Sequence, residues 1–276
     1  MSLSPRTALL AATPLLLLVL LGVLLPFGWR SADLLWNCLQ GRSCAAHDLL
    51  ADNYYLQALW NTVWISALST LVALVIGLGA AIALAQIPRW RAAVSVLASL
   101  GANFAGVPLA VAMTLLFGAQ GVVSSSLGLA GLSLPFDLYR NSGLLVAYVT
   151  FQVPLACLLL IAPTQMVESG LMDAAATLGA GPWLFWRRVG LPLLLPSLVE
   201  VGSLLFANAA AAYATPFALS GTAANVLAVR IAALVSGDIF AQPELSSLLA
   251  VVMFAMLVLV IAGGRWLAAR LRWAGA

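Results

Sequence analysis

One carboxylate, Glu200, falls inside an apolar stretch, eight residues beyond Pro192. At 1.5 Å per helical residue that is roughly 12 Å along a helix. A charge at such a depth is expensive to bury, so the group is either functional or partnered. As a functional group it would draw a cation along a pathway. As a partnered one it would hydrogen-bond a neighbouring helix, or Asn208 two turns on. Gln152, Asn208 and Tyr213 are further candidates to line a polar pathway, Tyr213 near its mouth. For the two amides the alternative is a hydrogen bond that ties one helix to another.

The remaining reactive groups are few. Cys38 and Cys44 are separated by five residues and followed by His47, the only histidine. In an oxidising compartment the pair could form a disulfide, but spacing alone leaves that open. C-x5-C-x2-H fits no common zinc spacing, so no metal site is assigned. Cys157 sits in an apolar run and reads as a small packing residue. All twelve basic residues are arginine. A phosphate-binding G-x-x-x-x-G-K-[ST] loop and a Schiff-base enzyme both need a lysine. No catalytic residue, cofactor or nucleic-acid partner is expected, and the chain reads as a non-enzyme.

The elements that hold these residues are set by hydrophobicity. Charged residues make up 8% of the 276 and apolar ones 63%, whereas soluble domains carry about 25% charge. The composition is that of a membrane protein. A helical span needs about 20 mostly apolar residues, and six stretches qualify: Ala8–Gly28, Ala58–Ala85, Ala92–Ala119, Gly143–Pro163, Leu191–Leu219 and Leu245–Trp266. The third is interrupted by Gly106 and Pro108, and the fourth carries Pro154. The first is too long for a signal-peptide core and lacks a small-x-small cleavage site, so it reads as an uncleaved span. Val122–Phe136 and Thr222–Val235 are too short to cross and read as surface or re-entrant helices. The expected fold is all-α: one polytopic domain over residues 1–276 with about six transmembrane helices.

An even number of spans puts both termini on one side. Arg6, Arg89, Arg91, Arg187, Arg188, Arg265, Arg270 and Arg272 would share that side, against Arg30, Arg42, Arg140 and Arg230 opposite. Eight against four places both termini in the cytoplasm, because basic residues near span ends stay inside.

The longest inside loop, residues 164–190, contains Asp173-Ala-Ala-Ala-Thr-Leu-Gly179 and then Ala180-Gly181-Pro182. It predicts two short helices with a corner at Gly179. Gly179 suits the left-handed residue that closes a helix, and Pro182 suits the first turn of the next. The Leu191-Pro192 pair then restarts the chain into the membrane. Small residues on the first helix let it settle deep into a partner's groove; the alternative is an amphipathic helix lying at the interface.

Asp173-Ala-Ala-x-x-x-Gly179, nine residues, then Val189-x-Leu191-Pro192 resembles the EAA loop of permease subunits of type I ABC importers. The family pattern is Glu-Ala-Ala-x-x-x-Gly, nine residues, Ile-x-Leu-Pro, so Asp replaces Glu and Val replaces Ile. Asn61-Thr62, Val107-Pro108-Leu109 and Val153-Pro154 are similar to shorter family patterns. Tyr213-Ala-Thr-Pro216-Phe-Ala-Leu-Ser-Gly221 is similar to a region of the polyamine, iron, thiamine and phosphonate importers.

The resemblance implies a permease subunit forming half of a translocation pathway in a bacterial inner membrane. Its partners would be two ATP-binding cassette ATPases, a second permease subunit (identical or paralogous) and a periplasmic binding protein, all embedded in or docked on membrane lipid. Asp173, Ala174, Ala175, Gly179, Leu191 and Pro192 would couple it to the ATPase. Glu200 and the Tyr213 region lean towards a small cation such as a polyamine. The alternatives are a stand-alone secondary transporter or channel driven through Glu200, and a membrane scaffold without a pathway.

Overall fold

The computed structural model describes residues 13–14, 17–18, 21–22, 25–40, 52–168, 170–236 and 243–274, and among them every regular element is helical. Most of the first expected span, Ala8–Gly28, lies outside the described residues, as do Cys44 and His47 and with them the Cys38–Cys44 pairing. Among the described residues five helices are long and apolar enough to cross a membrane: Asn53–Ala85, Val107–Leu129, Asn141–Val167, Pro182–Ala210 and Glu244–Arg272. A bent pair, Ala214–Ala223 and Leu227–Ser236, makes a sixth if counted as one span.

The chain divides into two compact units, Met1–Leu56 with Ile231–Ala255, and Gln57–Arg230 with Met256–Ala276. In the first, helix α1 spans Leu25–Leu39, Tyr54 and Tyr55 meet edge to face, and the Ser246 hydroxyl donates to the Ile231 carbonyl at 3.1 Å.

The second unit is built on the long helices α2 (Asn53–Gln86) and α3 (Pro88–Asn103), then α4 (Val107–Phe117) and α5 (Val122–Leu129). Helix α6 (Asn141–Glu168) is its axis, 28 residues and about 42 Å long. Three apolar clusters follow one another along α6. Leu144, Ala147, Tyr148 and Phe151 lie in the first, Ala156 and Leu160 in the second, and Val167 in the third. Both α3 and α9 (Leu191–Ala210) pack against it.

Two expected spans are cut differently. Ala92–Ala119 is not one helix: α3 ends at Asn103 and α4 begins at Val107. Gly106 turns the chain with φ +78°, and Pro108 suits the first turn of the helix that restarts there, where its missing N–H costs nothing. Residues from Val122, expected as a separate surface or re-entrant segment, continue the same membrane-length run as α4. The Ser126 hydroxyl donates to the Val122 carbonyl at 2.7 Å, which hides its polarity on its own helix.

The fifth span also shifts. It was expected at Leu191–Leu219, yet it runs continuously from Pro182 to Ala210. Leu191-Pro192 does not restart the chain, because a π-helical turn at Trp186–Gly190 carries the helix through. A proline ring clashes with the carbonyl four residues back, and a wider turn accommodates it. Past Ala210 the helix breaks at Ala211–Tyr213 and resumes as α10 (Ala214–Ser220), with a bend of 67° before α11 (Leu227–Ser236).

Candidate functional site

The loop after α6 forms a compact corner. Helix α7 (Leu171–Thr177) carries Asp173, Ala174 and Ala175, and Asp173 in its first turn suits the positive end of the helix dipole. Gly179 closes α7 with φ +79°. Its N–H donates to the Ala176 carbonyl at 2.9 Å, and the Ala180 N–H donates to the Ala175 carbonyl at 3.0 Å. These are the two bonds of a Schellman cap, which needs a left-handed residue at this position and therefore favours glycine. Extended Gly181 then leads into α8 (Pro182–Phe185), with Pro182 in the first turn.

The inner side of the corner is fixed by packing. Met172 and Ala175 of α7 rest on the cluster of Val167, Phe185 and Leu194. The outer side is uncovered and apolar at its tip: Leu178 is 87% exposed and Trp183 79%. Asp173, Ala174 and Gly179 are exposed there too. Leu191 and Pro192 stand apart from this group, exposed on the helix after the π turn. The sequence reading passed over Leu178 and Trp183, although large apolar residues on both sides of a Gly-Ala-Gly-Pro corner were a usable signal.

Of the two readings left open for Glu200, a pathway group or a partnered one, the structure supplies a partner. Arg272, near the end of α12 (Pro243–Ala274), donates to Glu200 Oε1 at 2.6 Å. The helices approach closely beside the pair: a Cβ at Gly264 would come within 2.8 Å of the Ser203 Cβ. Arg272 had been assigned to the inner-face anchors, and its guanidinium is the partner of Glu200. The carboxylate thus carries its own counter-ion.

Gln152 is fully buried between α2 and α6. Its Nε2 donates to Ser69 Oγ at 3.2 Å, and the Thr70 hydroxyl donates to its Oε1 at 3.4 Å. It ties helices together and presents no surface within this chain. Asn208 is exposed on α9. Tyr213 occupies the break after α9, its ring stacked on Phe217 with centroids 5.2 Å apart.

At the end of α6 opposite the corner, polar side chains hold the broken backbone. Irregular backbone at membrane depth persists only where its polar groups find partners. The Leu227 N–H, which opens α11, donates to Thr62 Oγ1 at 2.8 Å. The Gly106 N–H, at the break between α3 and α4, donates to Thr215 Oγ1 at 3.0 Å. Asn61 Nδ2 donates to the Asn225 carbonyl at 3.0 Å, and Asn141 Nδ2 donates to Asn61 Oδ1 at 3.3 Å. Arg230 is buried and donates to Asn225 Oδ1 and to the carbonyls of Thr222 and Ala224. Asn61, Thr62 and Thr215 lie in stretches singled out by resemblance alone; their partners across the fold stand 80 to 165 positions away, and the pairings carried no sequence signal.

No family model matches the chain. It is similar to a probable ABC transporter permease protein of Sinorhizobium fredii, y4fN, at 28% identity over 217 residues. That match takes in 78% of this chain and 37% of the relative. The thiamine transport permease ThiP of Salmonella typhimurium is 33% identical over 105 residues, 38% of this chain and 20% of ThiP. The glycerol-3-phosphate transport permease UgpA of Salmonella choleraesuis is 29% identical over 187 residues, 62% of this chain and 63% of UgpA. The chain therefore spans well under half the length of the first two relatives. In fold it matches the crystal structure of a bacterial ABC transporter that imports the acidic polysaccharide alginate, with a TM-score of 0.72 at 17% identity over 96% of both chains.

Proposed function

We propose that this chain, a multi-pass membrane protein with the ABC importer permease fold and ABC permease relatives, forms half of a translocation pathway. It is coupled to a cytoplasmic ATPase through the α7 corner. The observation that carries this reading is the rigid, outward-facing shape of that corner. A capped short helix is packed on its inner side and bears small residues and two bare apolar side chains at its tip. A soluble partner with a groove could grip such a knob and push the spans through α6 and α9. Alternation between inward- and outward-facing states then follows from rigid-body movement of packed helices.

In this reading both termini are cytoplasmic, a second permease subunit completes the pathway, and a binding protein delivers solute to the opposite face. The chain does no catalysis; hydrolysis belongs to two ATPase subunits with phosphate-binding lysines. Substrate selection is left mainly to the binding protein. The relatives' names span thiamine and glycerol phosphate, and the lean towards a polyamine has no support among them. The stand-alone transporter drew on an uncompensated Glu200, and Arg272 compensates it.

The test is affinity purification of the tagged full-length chain from its native membrane. A co-purifying ATPase with a G-x-x-x-x-G-K-[ST] loop is expected. Transport by the chain alone in liposomes without ATP would overturn the proposal.

A further inference from the structure

The polar end of the second unit carries an open cavity of about 550 Å³, within the range of about 300–1,000 Å³ typical of small-molecule sites. Four amide side chains reach it, those of Gln57, Asn61, Asn141 and Asn225, together with the hydroxyls of Ser142 and Ser220. It lies at the start of α6, about 42 Å along that helix from the α7 corner.

The wall is built rather than incidental. Residues 221–226 are pinned by buried Arg230 and by Asn61. Ser220 Oγ donates to the Tyr139 carbonyl at 3.1 Å and Ser142 Oγ to the Asp137 carbonyl at 3.1 Å. A satisfied polar network of this kind holds its members in place before a ligand arrives.

What these bonds leave over defines the ligand. The Ser142 and Ser220 hydroxyls have spent their protons on carbonyls, so their oxygens remain as acceptors. Asn141 keeps its carbonyl oxygen and one N–H, and exposed Gln57 keeps both ends of its amide. The ligand must therefore accept and donate over short spacings, which is the chemistry of adjacent hydroxyl groups. No carboxylate lines the cavity. Asp137, three residues before the cavity-lining Arg140, is held by the Tyr139 N–H at 3.0 Å and by Arg140 Nε at 3.3 Å. Arg140 itself lines the cavity, but its pairing with Asp137 leaves no net charge there; an ammonium, which only donates, would leave the spare N–H groups of Asn141 and Gln57 without an acceptor.

We infer that this cavity binds a small hydroxyl-rich solute, neutral or anionic, and not a cation. It rests on the permease reading only for its place at the mouth of a pathway; the binding does not depend on coupling.

The experiment is equilibrium binding of radiolabelled sucrose, sn-glycerol 3-phosphate and putrescine to the purified full-length assembly without nucleotide. Wild type, Gln57→Leu and Asn141→Leu are compared. Saturable binding of sucrose or glycerol 3-phosphate is expected, weakened at least tenfold by each variant, with no saturable putrescine binding. Tighter binding of glycerol 3-phosphate than of sucrose identifies the anionic form, and the reverse the neutral one. Gln57 makes no tie to another element, so its variant keeps the test valid if Asn141→Leu fails to fold. Binding of putrescine, binding of neither hydroxylated probe, or affinities unchanged by Gln57→Leu would overturn the inference. ATPase co-purification decides the permease reading separately.

Discussion

The backbone N–H of Leu227 donates to the hydroxyl of Thr62 across 2.8 Å, though 165 positions separate them. The first N–H groups of a helix have no partner within it, and here a side chain of a distant helix supplies one. The Thr62 hydroxyl in turn donates to the Ala58 carbonyl at 2.8 Å, so the oxygen is used in both directions. The bond fixes where α11 begins relative to α2, and with it one wall of the polar cavity.

Thr62→Val keeps the shape and removes the acceptor. A buried donor left without a partner costs about 1–3 kcal/mol. The expected result is a lower apparent Tm in detergent with insertion into the membrane intact. Thr62→Ser should recover most of the loss. An unchanged Tm for Thr62→Val would show that the bond contributes nothing.

Gln152→Leu separates a helix tie from a pathway residue. Interhelical hydrogen bonds in membranes average about 0.6 kcal/mol, with a maximum near 1.7. The variant should lose stability on that scale while the reconstituted assembly keeps its transport KM. A raised KM with unchanged stability would return Gln152 to the pathway.

Glu200 and Arg272 should behave as a unit. Glu200→Gln and Arg272→Gln are expected to slow uptake to a similar degree, and the double variant no further. The exchange Glu200→Arg with Arg272→Glu should restore much of the loss. The side chains are 38% and 59% exposed, so the stability effect of either single change stays within about 1 kcal/mol. If Glu200→Gln slows uptake while Arg272→Gln does not, the carboxylate serves the solute and not the arginine.

Gly179→Ala places a Cβ on a left-handed residue, at a cost of roughly 1–2 kcal/mol. The Schellman cap would loosen and α7 would fray from its last turn. ATPase retained on purification should fall, while Gly179→Asn, which tolerates this conformation better, should retain more. Equal retention by glycine, asparagine and alanine would mean that the shape of the corner does not matter.

Much of the architecture was legible because it follows from local chemistry. Apolar length located the spans, and the Gly179 and Pro182 punctuation located the corner with its two short helices. What was not legible depends on distant partners or on backbone compensation. Pro192 read as a helix start, since nothing local announces the π turn that absorbs it. For Glu200 a partner on a neighbouring helix was one of two readings, but which residue it is was hidden, since Arg272 stands 72 positions away. Val122–Phe136 read as too short to cross, since its continuity with α4 emerges only once the helices form. The cavity was invisible for the same reason: its wall joins the starts of two helices to a bent loop.

The proposed coupling makes the α7 corner the end of the molecule that engages an ATPase. Single cysteines at Ala174, Leu178 and Ser142, in a chain whose three native cysteines are replaced, allow cross-linking within the purified assembly. A cross-link is expected from positions 174 and 178 to a polypeptide bearing a phosphate-binding lysine loop, with a yield that changes on adding ATP, and none from position 142. A cross-link to that polypeptide from position 142, with none from 174 or 178, would contradict it.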